Sequence, residues 1–73
     1  MKGVLTLVFS KNDPVFGTEP LDINFTVRPR LGESFLFTSK LGFCNTSEVK
    51  AIDSETGKYL LTTRNSLYQL EVL

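Results

Sequence analysis

The chain has 73 residues with eight acidic and eight basic side chains, so its net charge is zero and no overall field attracts it to nucleic acid or an anionic membrane. With 41% hydrophobic and 22% charged residues, the composition is that of an ordinary folded domain and excludes a disordered chain. The lone cysteine, Cys44, and the absence of histidine exclude an intramolecular disulfide and a typical zinc site, so we expect one domain over residues 1–73 that depends on packing or oligomerisation.

The N-terminal segment predicts a strand. Residues 2–9, KGVLTLVF, are rich in β-branched and large apolar side chains and run into a cluster of turn-forming residues. The apolar stretch is too short to span a bilayer and lacks the small-residue cleavage site of a signal peptide. We therefore expect a cytoplasmic protein that does not associate with a membrane.

A loop over residues 10–20 is predicted next, because this segment carries two prolines and a glycine. Its apolar residues are Val15 and Phe16, and polar side chains surround them. One interpretation makes Phe16 an anchor for a partner, and the other makes both residues a lid over one end of the fold. The sequence leaves these two interpretations open.

Strict alternation makes residues 21–28, LDINFTVR, the clearest strand of the chain. Pro29 ends it because proline has no backbone donor for the sheet, and Gly32 allows a turn. Residues 34–39 predict a further strand. The side chains expected to share the buried faces of these strands are Leu21, Ile23, Phe25 and Val27 in the first, and Phe35 and Phe37 in the second.

The second half of the chain predicts a connection followed by three strands. Residues 41–47, LGFCNTS, are interpreted as the connection, and capping residues allow a short helical turn over 45–48. A weaker strand follows over 48–53, with Val49 and Ala51 on one face and Ile52 on the other. Gly57 fits the left-handed position of the next turn. The last two strands are predicted over 59–63 and 66–72.

Arg64 and Asn65 lie between these last strands and predict a tight hairpin. Asparagine tolerates positive φ, as a two-residue loop of the primed type requires. This register places Tyr68, Leu70 and Val72 on one face of the final strand.

No window shows sustained helical spacing of apolar residues, so we predict an all-β fold. Six short strands in sequence describe an antiparallel meander, and a small sheet has to curl to cover its apolar face. The economical solution is a partly closed barrel of five or six strands, SH3-like or OB-like.

Two stretches of the C-terminal half carry a family resemblance. TSEV at Thr46–Val49 and TRNSLYQL at Thr63–Leu70 resemble the pattern Thr-Ser-x-Val, a turn, then Thr-x-Asn-Ser-x-Tyr-x-Leu, which ends many short bacterial, archaeal and phage proteins. The likeness covers about the last thirty residues and does not reach the loop over 10–20. It implies a compact β fold and no particular activity.

The residue types argue against an enzyme. Without histidine, acid–base catalysis at neutral pH would need a carboxylate or lysine with a strongly shifted pKa, which a small barrel rarely provides. Cys44 has no base in the sequence to activate it and is interpreted as an inert thiol. We therefore predict no catalytic residue, no cofactor and no metal.

Since the residue types argue against an enzyme, we expect a binding function. We predict a small protein-binding module whose partner is another protein or a second copy of the chain. The likeness to phage proteins favours a stoichiometric inhibitor or adaptor. The alternative is a single-stranded nucleic-acid binder that uses Arg28, Arg30 and Arg64 with the rings of Phe35, Phe37, Tyr59 and Tyr68. The candidate partner-binding residues are Val15, Phe16, Arg28, Arg30, Arg64 and Asn65.

Overall fold

A computed structural model describes residues 1–11 and 19–73, and every regular element within them is a β-strand. The described residues contain no helix of the length and apolar character that crossing a membrane would need. The strands are β1 (Lys2–Ser10), β2 (Leu21–Asn24), β3 (Ser34–Ser39), β4 (Gly42–Glu55), β5 (Lys58–Thr63) and β6 (Ser66–Val72).

These six strands form a closed barrel in which each strand is antiparallel to its neighbours. They follow chain order around the barrel, and β6 pairs with β1 to close it. Closure matters because an open sheet of this size would leave unpaired edges. The predicted small antiparallel barrel is therefore confirmed, and it is closed rather than partly closed. Its order is a simple meander, without the Greek-key crossing of an OB barrel.

Side chains of alternating residues fill the barrel with apolar groups. The predicted inward faces of β3 and β6 are confirmed, since Phe35 and Phe37 are buried in the first and Tyr68 and Leu70 in the second. The Phe35 ring packs edge-on against Phe25, with the ring centroids 5.4 Å apart. The buried apolar residues are Leu5, Leu7, Leu21, Ile23, Phe25, Phe35, Phe37, Val49, Leu61, Tyr68 and Leu70.

The strand predicted over 21–28 is shorter in the structure and ends at Asn24. Phe25 still lies beside β1, because its N–H donates to the Met1 carbonyl at 2.9 Å and the Met1 ammonium donates to the Phe25 carbonyl at 2.8 Å. Beyond Phe25 the chain leaves the sheet, and Val27 is exposed. The expectation that Val27 shares the buried face is therefore wrong.

The connection predicted over 41–47 is wrong beyond Leu41, as is the helical turn over 45–48, because β4 begins at Gly42 and continues through both. Gly42, at φ 101°, makes possible a tight turn from β3 directly into β4. The Thr46 hydroxyl accepts a hydrogen bond from the Phe35 N–H at 3.0 Å. A polar stretch that favours a loop in isolation is thereby incorporated into the sheet, and β4 pairs first with β3 and then with β5.

Two of the three register shifts between the described strands change which side chains face the core. One lies between Val49 and Ala51 in β4, so Ile52 packs against the core and Ala51 is exposed, contrary to prediction. The other lies between Leu7 and Phe9 in β1 and leaves the Phe9 ring exposed. An extra residue shifts every following side chain to the other face, which the sequence pattern does not reveal.

The hairpin between β5 and β6 is confirmed at residues 64–65, but its turn is not of the primed type, because no described residue other than glycine has positive φ. The Thr63 hydroxyl closes the hairpin instead. It accepts from the Ser66 N–H at 3.0 Å and donates to the Ser66 carbonyl at 3.1 Å. A side chain thus supplies the bonds that a primed turn would obtain from the backbone.

Candidate binding surface at the β2–β3 seam

The barrel is least completely paired where β2 meets β3. These strands share one residue pair, Asn24 with Thr38, whereas β1 and β6 pair at seven positions and β4 and β5 at six. We call the junction between residues 25–30 and β3 the seam. The seam interrupts an otherwise continuous ladder of hydrogen bonds.

One edge of β3 is left without a neighbouring strand at the seam. The Phe35 N–H faces β4, where it donates to Thr46, and backbone groups of successive strand residues face opposite edges. The N–H and C=O groups of Ser34 and Leu36 therefore face residues 25–30. No hydrogen bond among the described residues joins either of them to that segment.

The segment opposite β3 is held in place by contacts with other strands. The Arg28 guanidinium donates to the Tyr59 hydroxyl of β5 at 3.0 Å. The Gly32 N–H donates to the Val49 carbonyl of β4 at 2.9 Å, and its φ of 82° favours glycine at that position. Arg28 thus joins the segment to β5, and Gly32, which follows the segment, joins the chain to β4, so the space beside β3 is bordered by residues that bond to other strands.

Two adjoining hollows occupy the seam. The first, which we call the arginine hollow, has a volume of about 460 Å³, and the second, the phenylalanine hollow, has about 350 Å³. They share Thr26 and Leu36 in their walls, so they adjoin, and we refer to the two together as the depression. The arginine hollow is also lined by Val27, Arg28, Arg30 and Glu33, and the phenylalanine hollow by Met1, Asn24, Thr38 and Phe43.

Large apolar side chains are exposed around this depression. The exposed fractions are 72% for Phe43, 51% for Leu36, 51% for Val27 and 48% for Met1. A single exposed apolar residue is ordinary, but a group around one depression is typical of a surface that another molecule covers. The seam therefore combines free backbone groups with an apolar rim.

Positive charge is concentrated in the arginine hollow, where Arg28 and Arg30 lie with one carboxylate, that of Glu33. In the described part of the chain the single ion pair joins Lys50 to Glu48 at 2.8 Å. The hydrogen bond and charge of Lys50 lower the pKa of Glu48. Among the described residues, no carboxylate lies within ion-pair distance of either arginine of the hollow.

The structure separates the predicted binding residues. It places Arg28 and Arg30 in one hollow, whereas Arg64 lines neither hollow. Asn65 has a structural role, because its N–H donates to the Ser47 hydroxyl at 3.3 Å and its carbonyl accepts from the Lys11 N–H at 2.8 Å. The other two candidates, Val15 and Phe16, lie outside the described residues.

Most rings proposed for base stacking are inside the barrel. Phe35 and Phe37 are buried, and so is Tyr68, whose hydroxyl pKa is raised by that burial. The exposed ring at the seam is Phe43, which sequence reasoning missed because its stretch was interpreted as a connection. The signal was present, since Phe43 alternates with two inward side chains, Cys44 and Thr46.

The described residues offer little reactive chemistry. Cys44 is half-buried against the core, with its sulfur 3.8 Å from the Gly42 carbonyl oxygen. Among residues 1–11 and 19–73, no three histidine, cysteine or acidic side chains are grouped so that they could hold a metal ion. The arrangement at the seam is suited to binding through apolar contacts, charge and backbone pairing.

Comparisons of the chain with models of protein families, with curated proteins and with solved structures found no match.

Proposed function

We propose that this chain is a non-enzymatic, cytoplasmic protein-binding module that contacts its partner through the β2–β3 seam. One observation carries the proposal: exposed apolar side chains, with Leu36 and Phe43 foremost, surround a preformed depression in the wall of the barrel. The predicted contacts Arg28 and Arg30 belong to this surface, at its charged end.

The energetics favour a protein as the covering molecule. Full burial of an exposed leucine or phenylalanine contributes roughly 1.5–3 kcal/mol, and a few such apolar anchors account for most of the binding energy in many small interfaces. A depression that is open and partly charged also leaves room for the side chains of a partner.

The role of stoichiometric inhibitor or adaptor is the specific form of this proposal. It rests on the resemblance of the C-terminal half to short phage and bacterial proteins. It also rests on size, because a chain of 73 residues is small enough to act by covering one surface of a partner.

A capture experiment with matched variants tests protein binding. The immobilised chain, its Leu36→Ser/Phe43→Ser double variant and a Leu60→Ser control are exposed to the same bacterial lysate, and retained proteins are quantified by mass spectrometry. Leu60 is a partly exposed leucine of β5 that lines neither hollow. We expect specific proteins to be retained by the wild type and the control and lost from the double variant. An identical set for all three chains would refute the proposal.

Two further measurements separate the other kinds of partner. Retention on single-stranded oligonucleotide resin that weakens steeply with salt would indicate the nucleic-acid alternative. A molar mass from light scattering that doubles with concentration would indicate that the partner is a second copy. We expect the chain to pass through the oligonucleotide resin without retention and to have the molar mass of a monomer in light scattering.

A further inference from the structure

We propose that the partner contributes an extended acidic segment that adds as a strand to the free edge of β3. This inference rests on the proposed function and specifies the chemistry of the partner. It is carried by the backbone groups of Ser34 and Leu36, which face the arginine hollow, and by the two arginines at its rim.

Backbone pairing is the first requirement that an added strand would meet. The ladder between β2 and β3 stops after the pair Asn24–Thr38, and the next residue of β3 that faces the same way is Leu36. A strand placed at the usual spacing of about 4.8 Å beside β3 would pair with the N–H and C=O groups of Leu36 and Ser34. The arginine hollow lies on this side of β3, between the strand and the segment that Arg28 fixes to Tyr59.

Side-chain complementarity is the second requirement. Alternate side chains of the added strand would project on the outer face, beside the exposed Leu36 and near Val27. Apolar residues at these alternate positions would cover the apolar rim. The side chains of the residues between them would project into the hollow. The expected partner sequence therefore alternates apolar residues with others over a length of a few residues.

Charge is the third requirement, and it selects an acidic segment. Arg28 and Arg30 against Glu33 leave the hollow with a net charge of +1, and no described carboxylate forms an ion pair with either arginine. A guanidinium group binds a carboxylate through two parallel hydrogen bonds, which adds orientation to attraction. Acidic side chains at one end of the segment would lie at this rim.

The same charges argue against a second copy of this chain as the added strand. A symmetric dimer through the seam presents the same surface twice. It would bring two copies of the +1 hollow together, a total of +2, because each copy carries two arginines against one Glu33. Like charges that face each other across paired strands are destabilising.

Peptide selection followed by backbone methylation tests the inference. A display library of random peptides of about eight residues, a length typical of a strand, is selected on the immobilised chain. We expect enrichment of acidic sequences with alternating apolar residues. A selected peptide is then synthesised with N-methyl groups on the backbone nitrogens that face β3, and as a control on the nitrogens that face away.

Methylation of the nitrogens that face β3 should weaken binding about tenfold or more, because it removes main-chain donors without changing any side chain. Methylation of the other nitrogens should leave affinity within about twofold. The NMR chemical shifts of the backbone amides of residues 34–36 should change when the unmodified peptide binds. Arg30→Ala should weaken binding about tenfold, and Arg64→Ala, a matched arginine outside both hollows, should not change it.

Several results would overturn strand addition: no enriched sequence, enrichment without acidic residues, or equal effects of the two methylation patterns. If the NMR chemical shift of the Leu36 amide changes when the protein is diluted without peptide, strand addition by a partner is wrong and the partner is a second copy of the chain. The lysate experiment is independent of these outcomes. If the Leu36→Ser/Phe43→Ser variant loses retained proteins while peptide selection fails, protein binding stands and strand addition is wrong.

Discussion

The two sides of this barrel differ in how completely their strands are paired. On one side, β6 lies between β1 and β5 and is paired with both along nearly its whole length. On the other side, β2 and β3 share one pair, and exposed apolar side chains surround the depression between them. The comparison teaches that a small barrel needs a continuous ladder around most of its circumference and tolerates one open junction. At that junction, the chain crosses to bond with β4 and β5 instead of continuing the sheet.

Amide hydrogen exchange should show the largest difference between the two sides. We expect the Leu36 N–H, which faces the seam, to exchange almost as fast as in an unstructured peptide, and Leu70 in the doubly paired β6 to exchange only on global unfolding. The difference between the free energies of exchange of these two amides would equal most of the free energy of unfolding. For a chain of this length the free energy of unfolding is roughly 4–11 kcal/mol. Phe37 is the internal control, because it lies in the same strand but its N–H faces β4, on the edge opposite to that of Leu36. Equal protection of Leu36 and Phe37 would remove the basis for the comparison.

A core substitution on the paired side should have the next largest effect. Leu61→Ala removes a fully buried side chain of β5 and should lower the free energy of unfolding by about 2–5 kcal/mol. The adjacent Leu60→Ala, on the exposed face of the same strand, should change it by less than about 1 kcal/mol. Urea denaturation followed by circular dichroism measures both. Similar losses for the two variants would contradict the alternation that we describe in β5.

The hairpin that joins β5 to β6 should depend on one hydroxyl. Thr63→Val keeps the shape of the side chain but leaves the Ser66 N–H and carbonyl without the Thr63 hydroxyl, at an expected cost of about 1–3 kcal/mol. Thr62→Val is the matched control, because Thr62 is exposed and adjacent. Denaturation midpoints of the two variants give the comparison. A Thr63→Val protein as stable as the control would show that the turn backbone holds the hairpin without that hydroxyl.

The smallest expected effect is a dependence of stability on alkaline pH. Burial raises the pKa of the Tyr68 hydroxyl, so above about pH 10 the unfolded chain loses this proton first. The free energy of unfolding should therefore fall as pH rises past that value. Tyr68→Phe should flatten the decline when unfolding curves are measured between about pH 9 and 11. An unchanged slope in the variant would assign the decline to other groups.

Much of the barrel could be predicted from the sequence because its signals are local. Alternation identified the inward faces around Ile23, Phe35 and Leu70, and a short polar break located the hairpin at residues 64–65. Of the candidate site, Arg28 and Arg30 were found because they flank the proline that interrupts the strand pattern. Patterns of this kind depend on neighbours along the chain, so the sequence alone contains them.

Distant contacts decided the rest. The Phe35 N–H incorporated Thr46 into β4, bulges moved Phe9 and Ala51 to the exposed face, and β2 ended at Asn24, short of its alternating pattern. At the seam, Arg28 and Gly32 bond to strands that lie far away in the sequence. The sequence by itself determined which residues prefer a strand and which side chains belong inside. Only the tertiary structure decided where pairing stops, because a hydrogen-bond partner across the barrel leaves no signal in the local pattern.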